Sequence, residues 1–254
     1  MTVRQSRVLH APDVGKDYDY RVGTSMVPSA EWAVVFDDFL QSWIPTTAIT
    51  NGAVANTPAP WQAAIIDSGA TIAVNTTAAL GATGVLTLAD ASASEGAAFY
   101  GQKSIQLTSG KRFWMEARVR TGDVTDNAVQ IGLSSLDATT DPEDLWDTST
   151  ASGIAYGIVD GAATLVMTCD NGNLGPATTT GARSMSANTW HILGIYFDGT
   201  RLFGYLDGKE CLTYGTAANI PTGVALAPFV GHINGNGGGA AVVLVDFVRW
   251  VIER

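Results

Sequence analysis

The stretch Tyr196–Glu210, YFDGTRLFGYLDGKE, sets two Asp-Gly pairs, Asp198-Gly199 and Asp207-Gly208, around a short alternating run. Asp and Gly both tolerate the left-handed backbone of tight hairpin turns, so Asp-Gly between alternating apolar runs is a strong hairpin signal. The stretch predicts three antiparallel strands in a meander. Both Asp residues read as turn formers, because Asp stabilises such turns by hydrogen bonding to its own backbone.

The same pattern extends along the chain. Short runs with turn residues between them predict strands at Trp61–Ile66, Thr71–Asn75, Gly84–Ala89, Ala97–Tyr100, Lys103–Thr108, Phe113–Arg120 and Ala128–Ser134. They continue at Gly153–Val159, Thr164–Cys169, Trp190–Phe197, Arg201–Leu206, Glu210–Tyr214, Ala225–Ile233 and Ala241–Ile252. RFWMEARVR alternates cleanly: Phe113, Met115, Ala117 and Val119 face one way, and Trp114, Glu116, Arg118 and Arg120 the other. That is a half-buried antiparallel strand. No segment keeps a helical period over ten residues. The expected fold is all-β, a two-sheet antiparallel jelly-roll sandwich over residues 32–254. Residues 1–31 are polar, carry two prolines and read as an extended N-terminal arm; KDYDYRVG is the part of it that could pair as a strand. Ile44–Pro60 reads as loop.

Composition bounds the partners. The net charge is −10 over 254 residues, which argues against nucleic acid and against an anionic membrane surface. Charged residues are 15%, against roughly 25% in an average domain, so part of the surface is neutral polar or packs on other chains. Arg4, Arg7, Lys16 and Arg21 cluster in the arm, and no further Lys or Arg occurs before Lys103. No apolar run approaches the ~18 residues of a membrane span. MTVRQSRVLHAPDV shows no apolar signal core, and the expectation is a protein made and kept soluble in a cytosol. Cys169 and Cys211 lie in strand-like runs without CxxC spacing and read as two buried free thiols rather than a zinc site, with a single disulfide as the alternative.

TW-HILGIYFDG-TRLFGYLDGKE, followed by APFVGHINGNGGGAAVVLVDFVRW, resembles the concanavalin A-like lectin/glucanase superfamily in its laminin-G-like form. Trp190 opens a strand, the two Asp-Gly turns follow, and Val245–Arg249 supplies the late closing strand. VVFDDF (Val34–Phe39) resembles the opening strand of such domains. The polar arm, FDDF, jelly roll and terminal ER together resemble structural proteins of tailed bacteriophages, some of which decorate the capsid. The resemblance implies a virion protein on the capsid surface, assembled in the host cytoplasm. Its partners would be the major capsid protein and copies of itself as a trimer or dimer, with Arg4, Arg7, Lys16, Tyr18, Tyr20 and Arg21 as a capsid-docking arm. The alternative is a lectin-like module of a tail or adhesin that binds a cell-surface glycan, with Trp146 as a contact to glycan or to a neighbouring subunit.

A glucanase of the superfamily would carry a Glu-x-Asp-x-x-Glu strand, whose alternating carboxylates serve as acid and nucleophile. The chain has no such run. Glu116, beside Arg118 and Arg120, reads as a surface cross-strand pair held ionised. DPEDLWD, Asp141–Asp147, is dense in acids and could offer oxygens to calcium, but its spacing is not that of an EF-hand. His10, His191 and His232 show no metal spacing, and the Gly-rich run Gly231–Ala241 reads as a hairpin loop rather than a phosphate loop. The expectation at this level is no cofactor, no metal and no enzyme.

Overall fold

The computed structural model describes residues 32–37, 49–50, 61–66, 69–75, 85–91, 93–136, 151–172, 176–235 and 241–253. These form two antiparallel sheets packed face to face, the jelly-roll sandwich expected from the strand pattern. Along the chain the strands are β1 (Trp32–Asp37), β2 (Ile49–Thr50), β3 (Trp61–Ile66), β4 (Thr71–Asn75), β5 (Val85–Ala89) and β6 (Gly96–Gly101). Then come β7 (Ile105–Gln106), β8 (Phe113–Thr121), β9 (Asn127–Ser134), β10 (Ser152–Val159), β11 (Ala162–Asn171) and β12 (Ala177–Ser184). The last are β13 (His191–Phe197), β14 (Leu202–Leu206), β15 (Lys209–Tyr214), β16 (Ala225–Asn234) and β17 (Val242–Glu253). Sheet A runs β15-β14-β13-β8-β17-β5-β4-β2, with β1 also on β17. Sheet B runs β12-β11-β10-β9-β16-β6-β3, with β7 also on β16.

The meander forms as β13, β14 and β15. At its first turn Asp198 Oδ1 accepts from the backbone N–H of Thr200 (2.8 Å) and Arg201 (2.7 Å). At the second, Asp207 and Gly208 sit at φ +52° and +75°, the paired positive values of a two-residue I′ turn. Asp207 also accepts from Ile192 N (2.9 Å) and from His191 Nδ1 (2.8 Å). His191 Nε2 meanwhile accepts from Ser186 N at 3.0 Å, which places its proton on Nδ1. The histidine thus pins a turn.

Alternation decides the layers. Phe113, Met115, Ala117 and Val119 of β8 enter the core, with Val129, Ile131 and Leu133 of β9 and Ile154, Tyr156 and Ile158 of β10 facing them. Trp61 stacks edge-on against Phe99 (4.9 Å) and Trp250 (5.7 Å). Each such side chain contributes about 1.5–3 kcal/mol by leaving water. Cys169 and Cys211 are both free and buried, and Tyr156 OH lies 2.7 Å from Cys211 Sγ. In β17 the register against β8 shifts between Val245 and Phe247. The extra residue, Asp246, reaches Arg118 at 2.5 Å.

Two strands differ from the sequence reading. β12 (ATTTGARS) has alternating exposure but almost no apolar residues, so no hydrophobic period marks it. β2 lies inside the stretch read as loop. The Gly-rich run starts inside β16, which continues to Asn234.

Candidate glycan-facing surface

Strand register lays the outward side chains of sheet B in rows across the strands. One row runs Gln62, Tyr100, Phe229, Gly132, Ala155, Thr168, Thr178. The next runs Ala64, Ala98, Gly231, Gln130, Gly157, Val166, Thr180. The middle of this face alternates Gly and Ala with Tyr100, Phe229 and Gln130, and it is buried. Phe229, Tyr100, Ala64, Ala98 and Ala155 close it as a small apolar cluster, with Leu136 against them. The glycines have a backbone cause: a Cβ at Gly132 would run into the carbonyl of Ile154 and the Phe229 ring, and one at Gly157 into the carbonyl of Val129.

Towards β11 and β12 the face opens. Thr168 and Thr178 are cross-strand partners with hydroxyls 3.0 Å apart, and Thr164 meets Ser184 at 3.3 Å. Thr178, Thr180, Ala182 and Ser184 are exposed. The result is a flat ladder of hydroxyls on two strands, each able to donate and to accept. Beside it lies Asp170, the one carboxylate on this face among the described residues. It is buried, and its Oδ1 accepts from Gly172 N at 2.7 Å.

The outward face of sheet A differs in kind. Arg249, Glu116, Gly194, Tyr205 and Glu210 form one row, and Val251, Trp114, Tyr196, Phe203 and Thr213 the next. Trp114 lies over Gly194, where a Cβ would meet its ring at 3.1 Å, and tilts against Tyr205 (5.1 Å) and Tyr196 (5.9 Å). Its Nε1 donates to Glu116 Oε2 at 3.0 Å, and Glu116 Oε1 pairs with the Arg249 guanidinium. The pair is cross-strand, as the sequence reading has it, but it corrects the reading of Glu116 as a surface residue. Glu116 is only 5% exposed. Burial pushes its carboxyl above the ordinary range, against the pull of Arg249 and of the Trp114 bond. Arg118 is instead taken by Asp246 and stacks over Trp190 at 4.7 Å.

A third polar group sits inside, at the rim of the sandwich. Asp90 Oδ1 accepts from Asn234 Nδ2 (2.8 Å) and Ala241 N (3.2 Å), joining the two ends of the Gly-rich loop. Its Oδ2 lies 3.4 Å from His232 Nε2 without a hydrogen bond. Burial pushes the Asp90 carboxyl up to about 6 and the fully buried His232 imidazole down to about 3.

Of the sequence-predicted site residues, Arg4, Arg7, Lys16, Tyr18, Tyr20, Arg21, Trp146 and the acids of Asp141–Asp147 lie outside the described residues. Among the described residues no group of three His, Cys, Asp or Glu is arranged to hold a metal. The Thr168–Thr178 ladder was not singled out from the sequence. The alternation of Val166, Thr168 and Asp170 against Leu165, Met167 and Cys169 is its only signal there.

The fold is shared with glycan-processing proteins. The chain is similar to the catalytic domain of an endo-1,3-beta-glucanase (laminarinase) from Thermotoga petrophila RKU-1, at 12% identity and TM-score 0.54, covering 88% of this chain and 99% of that one. A structure from work on endo-acting O-glycanases of the human gut microbiota, which initiate mucin breakdown, matches at 17% identity and TM-score 0.54, covering 87% and 98%. The protein of unknown function SO2946 from Shewanella oneidensis MR-1 matches at 14% identity and TM-score 0.52, covering 89% and 88%. These likenesses show the concanavalin A-like, glucanase-type jelly roll. They also overturn the expectation of no enzyme: the missing Glu-x-Asp-x-x-Glu run does not exclude catalysis in a sandwich shared with endo-glucanases. No curated protein matches the sequence. The family model described as SO2946-like, C-terminal domain matches residues 81–247, and the chain belongs to that family.

Proposed function

We propose that the protein is glycan-directed and takes a polysaccharide chain across the strands of sheet B, over the hydroxyl ladder of β11 and β12. The observation that carries this is the ladder itself: Thr164, Thr168, Thr178, Thr180 and Ser184 on a flat sheet face that opens to solvent at one end. Paired hydroxyls match the donor-and-acceptor character of sugar hydroxyls. Sharing a fold with endo-acting glycanases supports the same reading. The capsid-decoration reading rests on the sequence resemblance alone, and none of the structures named above is described as a virion component.

The test is retention of the full chain on a panel of insoluble β-glucans and mucin-type glycans, with release of new reducing ends measured in the same tubes. The proposal expects retention by at least one polysaccharide, weakened about tenfold in a Thr168→Ala/Thr178→Ala/Thr180→Ala variant that melts like the parent. Reducing-end release would extend the reading from binding to hydrolysis. Retention by no glycan, or equal retention of the variant, would reject it.

A further inference from the structure

His191 is buried at the start of β13 and bonds to a different connection from each side of its ring. Nδ1 donates to Asp207 Oδ2 at 2.8 Å in the β14–β15 turn. Nε2 accepts from the Ser186 N–H at 3.0 Å in the β12–β13 loop. The two sides differ in what else holds them. Asp207 is tied to β13 independently of the ring: its Oδ1 accepts from Ile192 N at 2.9 Å, and its own N–H donates to the Ile192 carbonyl at 2.8 Å. The loop is tied at Met185 N to the Ala163 carbonyl (3.0 Å) and at Asn188 N to the Thr121 carbonyl (2.7 Å). Ser186 and Ala187 span the gap between those anchors, and the ring nitrogen is the acceptor for the Ser186 N–H.

We propose that His191 is a proton-operated latch on the β12–β13 loop: the neutral ring holds Ser186, and the protonated ring releases it while keeping Asp207. A neutral imidazole has one N–H and one lone pair, and here Ser186 binds the lone pair. A proton taken up at Nε2 turns that acceptor into a donor aimed at another N–H, so the Ser186 bond is lost and the two groups repel. The same proton makes the Asp207 contact charge-assisted on both sides, the stronger kind of hydrogen bond. One event loosens one side of the ring and tightens the other. Histidine is the side chain whose charge changes within the physiological range.

Asp207 is the charged group in contact with the ring. Val119 is the register partner of His191 and faces the core, so Arg118 and Arg120 of β8 turn to the opposite face of sheet A. Lys209 and Glu210 of β15 and Arg183 of β12 are exposed. Asp123, which follows β8, is taken by the N–H groups of Thr125 and Asp126. Ser186 lies just beyond Ser184, so the latch acts at the end of the hydroxyl ladder. Its bearing on glycan contact rests on the reading above, and the latch itself does not.

The test is amide hydrogen exchange by NMR on the full chain without glycan, between about pH 8 and about pH 5.5, corrected for the intrinsic pH dependence of exchange. Protection of the Ser186 amide should fall about tenfold towards the acid end, while that of Ile192 holds. Nitrogen shifts of the His191 ring in the same samples should show the proton on Nδ1 alone at the alkaline end. Their titration midpoint should coincide with the loss of Ser186 protection. His191→Gln, whose amide oxygen accepts without titrating, should abolish the pH dependence in a protein that melts like the parent. Ser186 protection that does not change with pH, parallel loss at Ile192, a ring that stays neutral throughout, or the same pH dependence in the Gln variant would overturn the proposal.

Discussion

The two outer faces of the sandwich solve one problem in opposite ways. Sheet A carries long side chains and locks them to one another: Trp114 onto Gly194, Glu116 onto Trp114 and Arg249, Arg118 between Asp246 and Trp190. Sheet B buries its middle as a small cluster of Tyr100, Phe229 and alanines and leaves hydroxyls standing at its edge. A face whose groups already satisfy one another has little left to offer a polar ligand. A face of paired but exposed hydroxyls can exchange water for sugar at small cost. On the proposed reading, ligand contact falls on sheet B, while sheet A carries structural cohesion.

The largest expected effect breaks the sheet A network. Glu116→Ala removes the buried carboxylate that the Arg249 guanidinium and Trp114 Nε1 hold, and should cost about 3–5 kcal/mol in urea denaturation. The double variant Glu116→Leu/Arg249→Met should recover most of that, since an apolar pair replaces the buried ion pair.

A second prediction separates the glycines of the two faces. Gly132→Ala on sheet B meets a backbone carbonyl that cannot yield and should cost about 1–3 kcal/mol or more. Gly194→Ala on sheet A meets only the Trp114 ring and the Tyr205 Cβ, and should cost under about 1 kcal/mol beyond the propensity change. Equal costs would mean that the glycines of sheet B have no backbone cause.

The rim between the faces has its own signature. The Asp90 carboxyl is raised to about 6 in the fold, so the native state holds a proton that the unfolded chain releases, and stability falls as pH rises through about 4–6. His232 is lowered to about 3. The unfolded chain therefore takes up the extra proton, and stability rises with pH through about 3–6.5. In the parent these slopes oppose. Asp90→Asn should leave stability rising with pH by up to about 5 kcal/mol, and His232→Gln should leave it falling by about 3 kcal/mol, each across its window. The same sign in both variants would refute the assignment. The smallest effect belongs to the ladder: Thr178→Ala, at an exposed position, should change stability by less than about 0.5 kcal/mol.

Much of this architecture was legible in the chain. The alternation of RFWMEARVR assigned every side chain of β8 to its face, and both Asp-Gly turns fell where the meander reverses. What escaped has physical causes. β12 is a polar edge strand, so burial imposes no apolar period on it. Glu116 looked like a surface acid because Arg118 and Arg120 share its strand face; its true partner, Arg249, comes from a strand more than a hundred residues later. Cross-strand register, which sets that pairing and builds the Thr168–Thr178 ladder, is written in no local window of sequence. Nor is the closeness of Asp90 to His232, which depends on the rim where β5, β16 and β17 end.

The most direct test of glycan contact on sheet B is backbone hydrogen–deuterium exchange of the full chain, with and without an oligosaccharide of a polysaccharide that retains it. The account predicts slowed exchange in peptides covering Ala162–Asn171 and Ala177–Ser184, with Lys209–Tyr214 unchanged. Protection confined to β13, β14 and β15 on sheet A would contradict it.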